Sequence, residues 1–293
     1  MSRRLGIAVL LVIATLFGTN HVAARFAIDH GASVAAAVAI RSACTALVLL
    51  FLLPRLWNIP LRIDRGTLWR SMFVGCFVAV QSFCLYSAVA RIPVALALLV
   101  FNLYPMLFML LSWAMGKEKL RGSALLAMSL SLAGLALALD IRVEGFEGRW
   151  HEIGVGVLWA LGAALSFMMV LYFNAHWLKA LDGRLRTLIM MAVTATLVLA
   201  GGAAAGALAL PIDPTGWIGL AALTVLYGTA ITSLFIVLPR LGGGAASTVA
   251  LNFEPIAVLA IAWLALGQSV KPLQLLGAFV VVGAIAWLGA ARR

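Results

Sequence analysis

Two charged side chains lie within apolar stretches of the sequence, where an ionised group needs a partner or a function. Glu254 is the one acidic residue that we place deep inside a predicted membrane helix, and Arg41 lies inside another. A buried charge is costly unless it is paired, so such residues mark binding sites, proton pathways or ion pairs. We expect Glu254 to attract a substrate amine, bind a transported proton or pair with Arg41. Arg41 could instead bind a substrate carboxylate.

Uncharged polar side chains accompany them in other apolar stretches. His21 follows Asn20 in the first stretch, and Gln81 lies in the third. Histidine changes charge near neutral pH, which suits proton or substrate binding. A buried histidine or amide can also serve only in packing, with its hydrogen bonds satisfied. In either case these side chains should face the interior of a helix bundle.

An Asn-x-x-Pro sequence occurs twice, 150 residues apart: Asn102 with Pro105, and Asn252 with Pro255. A proline within a membrane helix removes one N–H and frees the carbonyl four residues earlier. The neighbouring asparagine could cap that carbonyl in a kinked helix. Alternatively, the two interrupted helices could form a binding site near the middle of the membrane.

Aromatic residues repeat with the same spacing. Phe17 matches Phe167, and Tyr104 matches Glu254, so a site built from both halves would be chemically asymmetric. Together with Trp159, these rings could line a pocket for an apolar or aromatic solute. Aromatic residues near helix ends can also serve as anchors at the membrane interface.

The composition requires that a bilayer surround most of these elements. Of 293 residues 64% are hydrophobic, 11% are charged, and the mean hydropathy is +1.10. A hydrocarbon core of about 30 Å needs about 20 helical residues to cross it. We therefore predict an all-α integral membrane protein with ten transmembrane helices, at 5–27, 33–53, 67–90, 93–115, 121–139, 153–176, 186–209, 215–238, 245–266 and 272–290.

The distribution of basic residues predicts the orientation of the chain. With the N-terminus in the cytoplasm, the segments on that side carry fifteen Lys and Arg residues, whereas the opposite side carries five. The five are Arg25, Arg91, Arg142, Arg149 and Lys271. This bias follows the positive-inside rule and predicts that both termini are cytoplasmic.

The repeat and the span count together predict the domain organisation. Residues 1–293 form a single membrane domain: repeat 1 covers about 5–139, an outer loop covers 140–152, and repeat 2 covers about 153–290. Five helices per repeat is an odd number, so the second repeat enters the membrane inverted. Many secondary transporters use such inverted repeats to alternate access to a central site.

Other classes of protein find no support in the sequence. It has no P-loop, no nucleophile elbow and no His-Glu-x-x-His, and its four histidines and three cysteines show no metal-binding spacing. We therefore expect no enzyme, no cofactor and no bound metal. Despite the net charge of +11, the basic residues are spread over short loops, so nucleic-acid binding is not expected.

The sequence resembles a known family in several short segments. These are Leu16–Asn20, Tyr86–Val89, Phe253–Pro255 and Leu266–Gln268. They are similar to elements of the drug/metabolite transporter superfamily, in particular its EamA-type members, and most of all to the YddG-type exporters of aromatic and neutral amino acids. The resemblance implies export from the bacterial cytoplasm across the inner membrane, through a cavity between the two halves.

The expected function is therefore secondary transport of a small molecule, with the lipid bilayer as the other partner. Aromatic and neutral amino acids or similar metabolites are the expected substrates. A multidrug or other metabolite exporter of the same fold is the alternative within transport, and a non-transporting receptor is the alternative outside it. Proton exchange and facilitated export both remain open, as does the oligomeric state.

Overall fold

The computed structural model describes residues 3–56, 63–92, 94–117, 119, 122–138, 150–241, 249–257, 260 and 271–290. These residues form helices joined by short connections, and they include no β-strand. The helices are α1 (Arg3–Asp29), α2 (Val34–Leu56), α3 (Arg65–Val89), α4 (Val94–Phe101), α5 (Tyr104–Ala114), α6 (Gly122–Ala138), α7 (Trp150–His176), α8 (Gly183–Ala204), α9 (Pro214–Arg240), the 3₁₀ helix η1 (Val249–Phe253), a helical turn at 254–257, and α10 (Pro272–Ala290).

The helices are those of a multi-pass membrane protein. Within the part of the chain that the structure describes, seven stretches are long and apolar enough to cross a bilayer, and two shorter apolar helices lie at Gly122–Ala138 and Pro272–Ala284. Large apolar side chains are exposed on the outside of the bundle, among them Trp69, Val225 and Phe279 at 67–71% of their surface. In lipid such exposure is favourable, because hydrocarbon rather than water surrounds these side chains.

The predicted spans agree with the helices over most of the described chain. The span at 93–115 is interrupted, as the proline predicts: α4 ends at Phe101 and α5 begins at Tyr104, with Pro105 in its first turn. The ninth predicted span, 245–266, is described only at 249–257 and 260, and most of it lies outside the described residues.

One predicted boundary is wrong by five residues. The seventh span was expected to continue to residue 209, but α8 ends at Ala204. Gly206 has a φ of 61°, and the N–H groups of Gly206 and Ala207 donate to the carbonyls of Ala203 and Gly202. This is a Schellman cap, for which glycine is the preferred residue. The apolar residues after it hide the end of the helix in a hydropathy pattern.

Helices α1 and α9 pack against each other in opposite directions. A Cβ atom at Gly6, near the start of α1, would touch Leu241, just beyond the end of α9. At the other end, Gly219 of α9 lies against the backbone of Ala23 and Ala27.

Helices α3 and α7 form an equivalent antiparallel pair. The ring of Phe73, near the start of α3, lies 6.1 Å from that of Trp177, beyond the end of α7. Near the start of α7, Gly156 lies against Ile92, which follows α3.

Helices α2 and α8 are also antiparallel. Ala35 at the start of α2 contacts Gly202 near the end of α8, whereas Leu49 and Leu53 at the end of α2 pack with Leu185 at the start of α8. Helices α2 and α8 hold equivalent positions in the two predicted repeats. Their antiparallel packing is therefore the packing expected of inverted repeats.

Helices α6 and α10 approach closely through small residues. A Cβ atom at Gly277 of α10 would lie 2.4 Å from the carbonyl oxygen of Gly134 and 2.3 Å from the nitrogen of Ala138. Gly134 and Ala138 stand four residues apart, the spacing that lets helix backbones meet in lipid. The end of α6 meets the start of α10, so this pair is antiparallel as well.

Two loops meet at one face of the bundle. His30 Nδ1, after α1, lies 2.5 Å from Asp213 Oδ2, which precedes α9, and the N–H of Ser33 donates to the carbonyl of Ala209. The N–H of Gly216, then the His30 side chain, lowers the pKa of Asp213 below its ordinary value. Both loops were predicted on the outer side, and their contact places them on the same side.

Candidate functional site

A cavity lies in the centre of the bundle, between the first and second halves of the chain. Its walls come from α1, α2, α3, α7 and α9, and from the interrupted segments around the two Asn-x-x-Pro sequences. The lining residues are Phe17, His21, Arg41, Gln81, Ser82, Leu85, Tyr86, Phe101, Tyr104, Phe167, Tyr227, Ile231, Leu251 and Glu254.

The cavity is narrow in this conformation. The space around its lining side chains, including the part that opens outward, is about 440 Å³, and only about 30 Å³ can be occupied by the centres of water molecules. One water requires about 10–15 Å³ of such space, so the cavity has room for two or three waters. A solute the size of an amino acid would need the helices to move apart.

Glu254 and His21 meet inside this cavity. Oε1 of Glu254 lies 2.8 Å from Nε2 of His21, and both side chains are at most 5% exposed. This distance suits an ion pair when the imidazole is protonated. His21 Nδ1 is buried and has no hydrogen-bond partner among the described residues, so it remains available to a ligand or a proton. The sequence had suggested Arg41 as the partner of Glu254, and the structure places His21 there.

Arg41 lies between two tyrosine rings. Its Cζ is 3.5 Å from the centre of the Tyr227 ring and 4.6 Å from that of Tyr86. Its Nη1 donates to the hydroxyl of Tyr86 at 2.5 Å, and that hydroxyl donates to Asn20 Oδ1 at 3.1 Å. The aromatic faces stabilise a guanidinium that has no carboxylate partner among the described residues.

Aromatic rings form much of the cavity wall. The ring of Tyr104 lies 4.8 Å from that of Phe167 and 5.1 Å from that of Phe101. Phe17 meets Tyr227 edge to face at 6.1 Å. The cavity therefore combines an apolar aromatic surface with a buried cation and a buried acid.

Equivalent positions of the two halves line the same cavity. Four pairs of lining residues are separated by 150 positions: Phe17 and Phe167, Gln81 and Ile231, Phe101 and Leu251, Tyr104 and Glu254. Residues that the sequence repeat pairs at a spacing of 150 positions therefore line the same cavity. The chemistry differs between the halves, because His21 and Arg41 match the apolar Leu171 and Met191.

Three of the predicted site residues do not line the cavity. Asn102 is fully buried and its Nδ2 donates to the carbonyl of Leu98, while Asn252 Nδ2 donates to Ser131 Oγ in α6. Both asparagines thus secure the interrupted helices beside the cavity. Trp159 lies outside it, against Phe83 at 5.9 Å and beneath Arg91.

Six other candidate residues lie around the same cavity, and further residues join them. His21, Gln81, Tyr104, Phe167, Glu254 and Arg41 all line the cavity. Asn20 is one hydrogen bond away, through Tyr86. Tyr86 entered the sequence analysis only as part of the Tyr86–Val89 segment, and Ser82 and Leu85 were not named there. The spacing of these three residues with Gln81 places all four on one face of α3, which was the available signal.

This arrangement presents a buried cation, a buried acid and an aromatic surface to one small volume. Among the described residues, no group of three or more His, Cys, Asp or Glu side chains could hold a metal ion. The buried Arg41 can receive a carboxylate, and Glu254 with His21 can receive an ammonium group or a proton. The aromatic rings between them suit an apolar or aromatic side chain.

Comparisons with known proteins agree with this architecture. Twenty-nine chains of solved structures match this one. One of them, described only as the crystal structure of a protein, superposes with a TM-score of 0.72 over 100% of this chain and 99% of its own, at 18% identity. That likeness shows the fold alone.

No curated protein sequence matches the chain. The profile of the EamA-like transporter family, in contrast, matches residues 4–139 and matches again at residues 154–290. These two matches cover nearly all of the sequence. The chain therefore belongs to the EamA-like transporter family.

Proposed function

We propose that this protein is a secondary transporter that exports aromatic or other neutral amino acids, or similar small metabolites, by alternating access. The observation that carries the proposal is the composition of the central cavity. Arg41, Glu254 and a group of aromatic rings line one small buried volume. A zwitterion with an aromatic side chain matches these three features at once.

Each feature recognises one part of such a solute. The guanidinium of Arg41 would hold the carboxylate, and the Glu254–His21 pair would hold the ammonium group. The rings of Tyr104 and Phe167 would contact the side chain. Hydrogen bonds to charged groups contribute about 1.5–3 kcal/mol each, so losing either one should weaken binding by about tenfold or more.

The helix pairing supports two inverted repeats of five crossings each. In the two repeats, α1 corresponds to α7, α2 to α8, α3 to α9 and α6 to α10. A symmetry operation that exchanges the repeats therefore superposes the α1–α9 pair on the α7–α3 pair. It superposes the α2–α8 pair and the α6–α10 pair each on itself. The antiparallel packing of α2–α8 and of α6–α10 is the packing that a two-fold axis in the membrane plane, perpendicular to the helices, would produce. This is the geometry on which alternating access around a midplane site depends.

The proposed setting is the bacterial inner membrane, with both termini in the cytoplasm. The excess of basic residues on one side of the predicted topology supports this orientation. The contact between the loops after α1 and before α9 supports the same alternation of sides.

Counterflow in proteoliposomes tests the proposal. Vesicles loaded with unlabelled phenylalanine should accumulate labelled phenylalanine transiently, and empty vesicles or vesicles loaded with a sugar should not. If unlabelled aromatic and neutral amino acids fail to accelerate exchange, the amino acid assignment is wrong. A panel of lipophilic cations in the same assay would then identify a multidrug exporter of the same fold.

A further inference from the structure

A second buried guanidinium lies away from the central cavity, where α7 ends, α8 begins and α9 ends. Arg186 is 1% exposed. It lines a separate pocket with about 440 Å³ of empty space, together with Asn174, Lys179, Phe235 and Leu238. One wall of this pocket is therefore cationic and polar, and the rest is apolar.

The partners of Arg186 are neutral. Its Nη1 donates to Asn174 Oδ1 at 3.0 Å and its Nη2 donates to the carbonyl of Leu181 at 3.0 Å. Its Nε is buried and has no hydrogen-bond partner among the described residues. The nearby carboxylate of Asp182 attracts the Arg186 charge at longer range. That carboxylate accepts from the N–H of Arg184 at the start of α8, and no carboxylate lies within 4 Å of Arg186 in the described chain.

The position of Arg186 in its helix makes the buried positive charge more costly. Arg186 is in the first turn of α8, where the helix dipole disfavours a positive charge. A buried cation with no carboxylate in direct contact is costly, and here the local dipole increases that cost. Lys179, exposed at the same pocket, adds a second positive charge. An anion bound in the pocket would offset the buried charge of Arg186, the positive end of the helix dipole and the charge of Lys179.

The location of the pocket indicates the source of the anion. Its walls come from the last turns of two membrane spans and the first turn of a third. Lipid headgroups lie at this depth, and basic pockets between transmembrane helices are typical sites for anionic headgroups. Trp177, which directly follows α7 and is 44% exposed, is of a type enriched at the membrane interface.

We propose that this pocket binds the phosphate group of an anionic phospholipid, with Arg186 and Lys179 as the phosphate ligands and the apolar wall against the glycerol and upper acyl chains. The site is distinct from the central cavity and does not depend on the transported substrate. In the predicted topology it faces the cytoplasmic leaflet.

Native mass spectrometry of the full-length protein tests this site. The protein in detergent is offered equal amounts of phosphatidylglycerol and phosphatidylcholine. We expect wild type to retain phosphatidylglycerol preferentially and Lys179→Gln to lower that preference by about fivefold, the effect of one basic contact. Arg186→Gln should lower it further, and Arg186→Lys should restore part of it. Lys117→Gln, an equal change of charge at an exposed site outside the pocket, should leave it unchanged.

Three results would overturn the proposal. Wild type could show no preference for the anionic lipid, or Lys117→Gln could reduce the preference as much as Lys179→Gln. Alternatively, millimolar inorganic phosphate could displace phosphatidylglycerol completely, which would identify a soluble phosphate as the ligand, because the free ion lacks the acyl chains that hold a lipid. Lys179→Gln changes only an exposed side chain, so the test stands even if the Arg186 variants fail to fold.

Discussion

At the scale of single residues, the account depends on the acid and the imidazole in the central cavity. The sequence predicted that Glu254 would be buried in a functional position, because a carboxylate rarely occurs inside a membrane span without a reason. It could not predict that His21 is its neighbour, since contacts between distant helices are decided by tertiary packing. The 2.8 Å contact joins the first helix of one half to the interrupted segment of the other.

Replacing Glu254 with glutamine should therefore impair transport. The substitution keeps the size of the side chain but removes the charge that would hold the substrate ammonium group or a proton, so exchange should fall by about tenfold or more. Initial rates of counterflow between about pH 5 and pH 8, the range over which a histidine changes charge, measure the effect. Glu152→Gln, at the exposed start of α7, is the matched control. Wild-type rates for Glu254→Gln across that range would exclude both roles.

Tyr86 should contribute to stability through its hydroxyl group. Tyr86→Phe leaves Arg41 Nη1 and Asn20 Oδ1 without this partner in a buried site, which should cost about 1–3 kcal/mol. The apparent Tm of the detergent-solubilised protein should fall by about 2–6 °C. Tyr172→Phe is the control, because the described contacts of Tyr172 are made by its ring. Equal melting of the Tyr86→Phe variant and wild type would mean that the hydroxyl contributes nothing net.

At the scale of helices, sequence signals succeeded where the cause is local. Pro105 predicted the interruption between α4 and α5, because a proline always lacks the N–H that a continuous helix needs at that position. The end of α8 was missed, because Gly206 ends the helix within an unbroken apolar run. The two asparagines were placed correctly beside the interruptions, yet their partners, Leu98 and Ser131, could not be read from the sequence.

The close approach of α6 and α10 gives a direct test of helix packing. Gly277→Ala puts a Cβ atom within 2.4 Å of the α6 backbone, so the two helices must move apart and the apparent Tm should fall by several degrees. Gly283→Ala, in the same helix, meets nothing within 4 Å and should leave the Tm unchanged or slightly raised. Equal effects of the two substitutions would contradict the described contact.

At the scale of the whole molecule, the repeat connects sequence, fold and site. The 150-residue spacing appears in four pairs of cavity residues, in the helix pairing, and in the two matches to one family. The sequence predicted the repeat because corresponding positions keep residues such as Asn102 and Asn252. It also predicted a chemically asymmetric site, because Tyr104 matches Glu254. It could not predict which of these side chains meet across the cavity, since tertiary packing decides those contacts.

The measurement that tests the central claim most directly is the accessibility of the cavity from the two sides of the membrane. Ser82 lines the cavity and is 1% exposed, so Ser82→Cys in a variant lacking Cys44, Cys76 and Cys84 reports on its opening. We predict that a membrane-impermeant maleimide labels this cysteine whether it is added outside or enclosed inside sealed vesicles. Phenylalanine should slow labelling from each side. The vesicles themselves should stay impermeable to the reagent. Leu158→Cys, on a lipid-facing surface, should remain unlabelled. Labelling of Ser82→Cys from one side only, or from both sides without protection by any small solute, would contradict a shared cavity that opens alternately to the two sides.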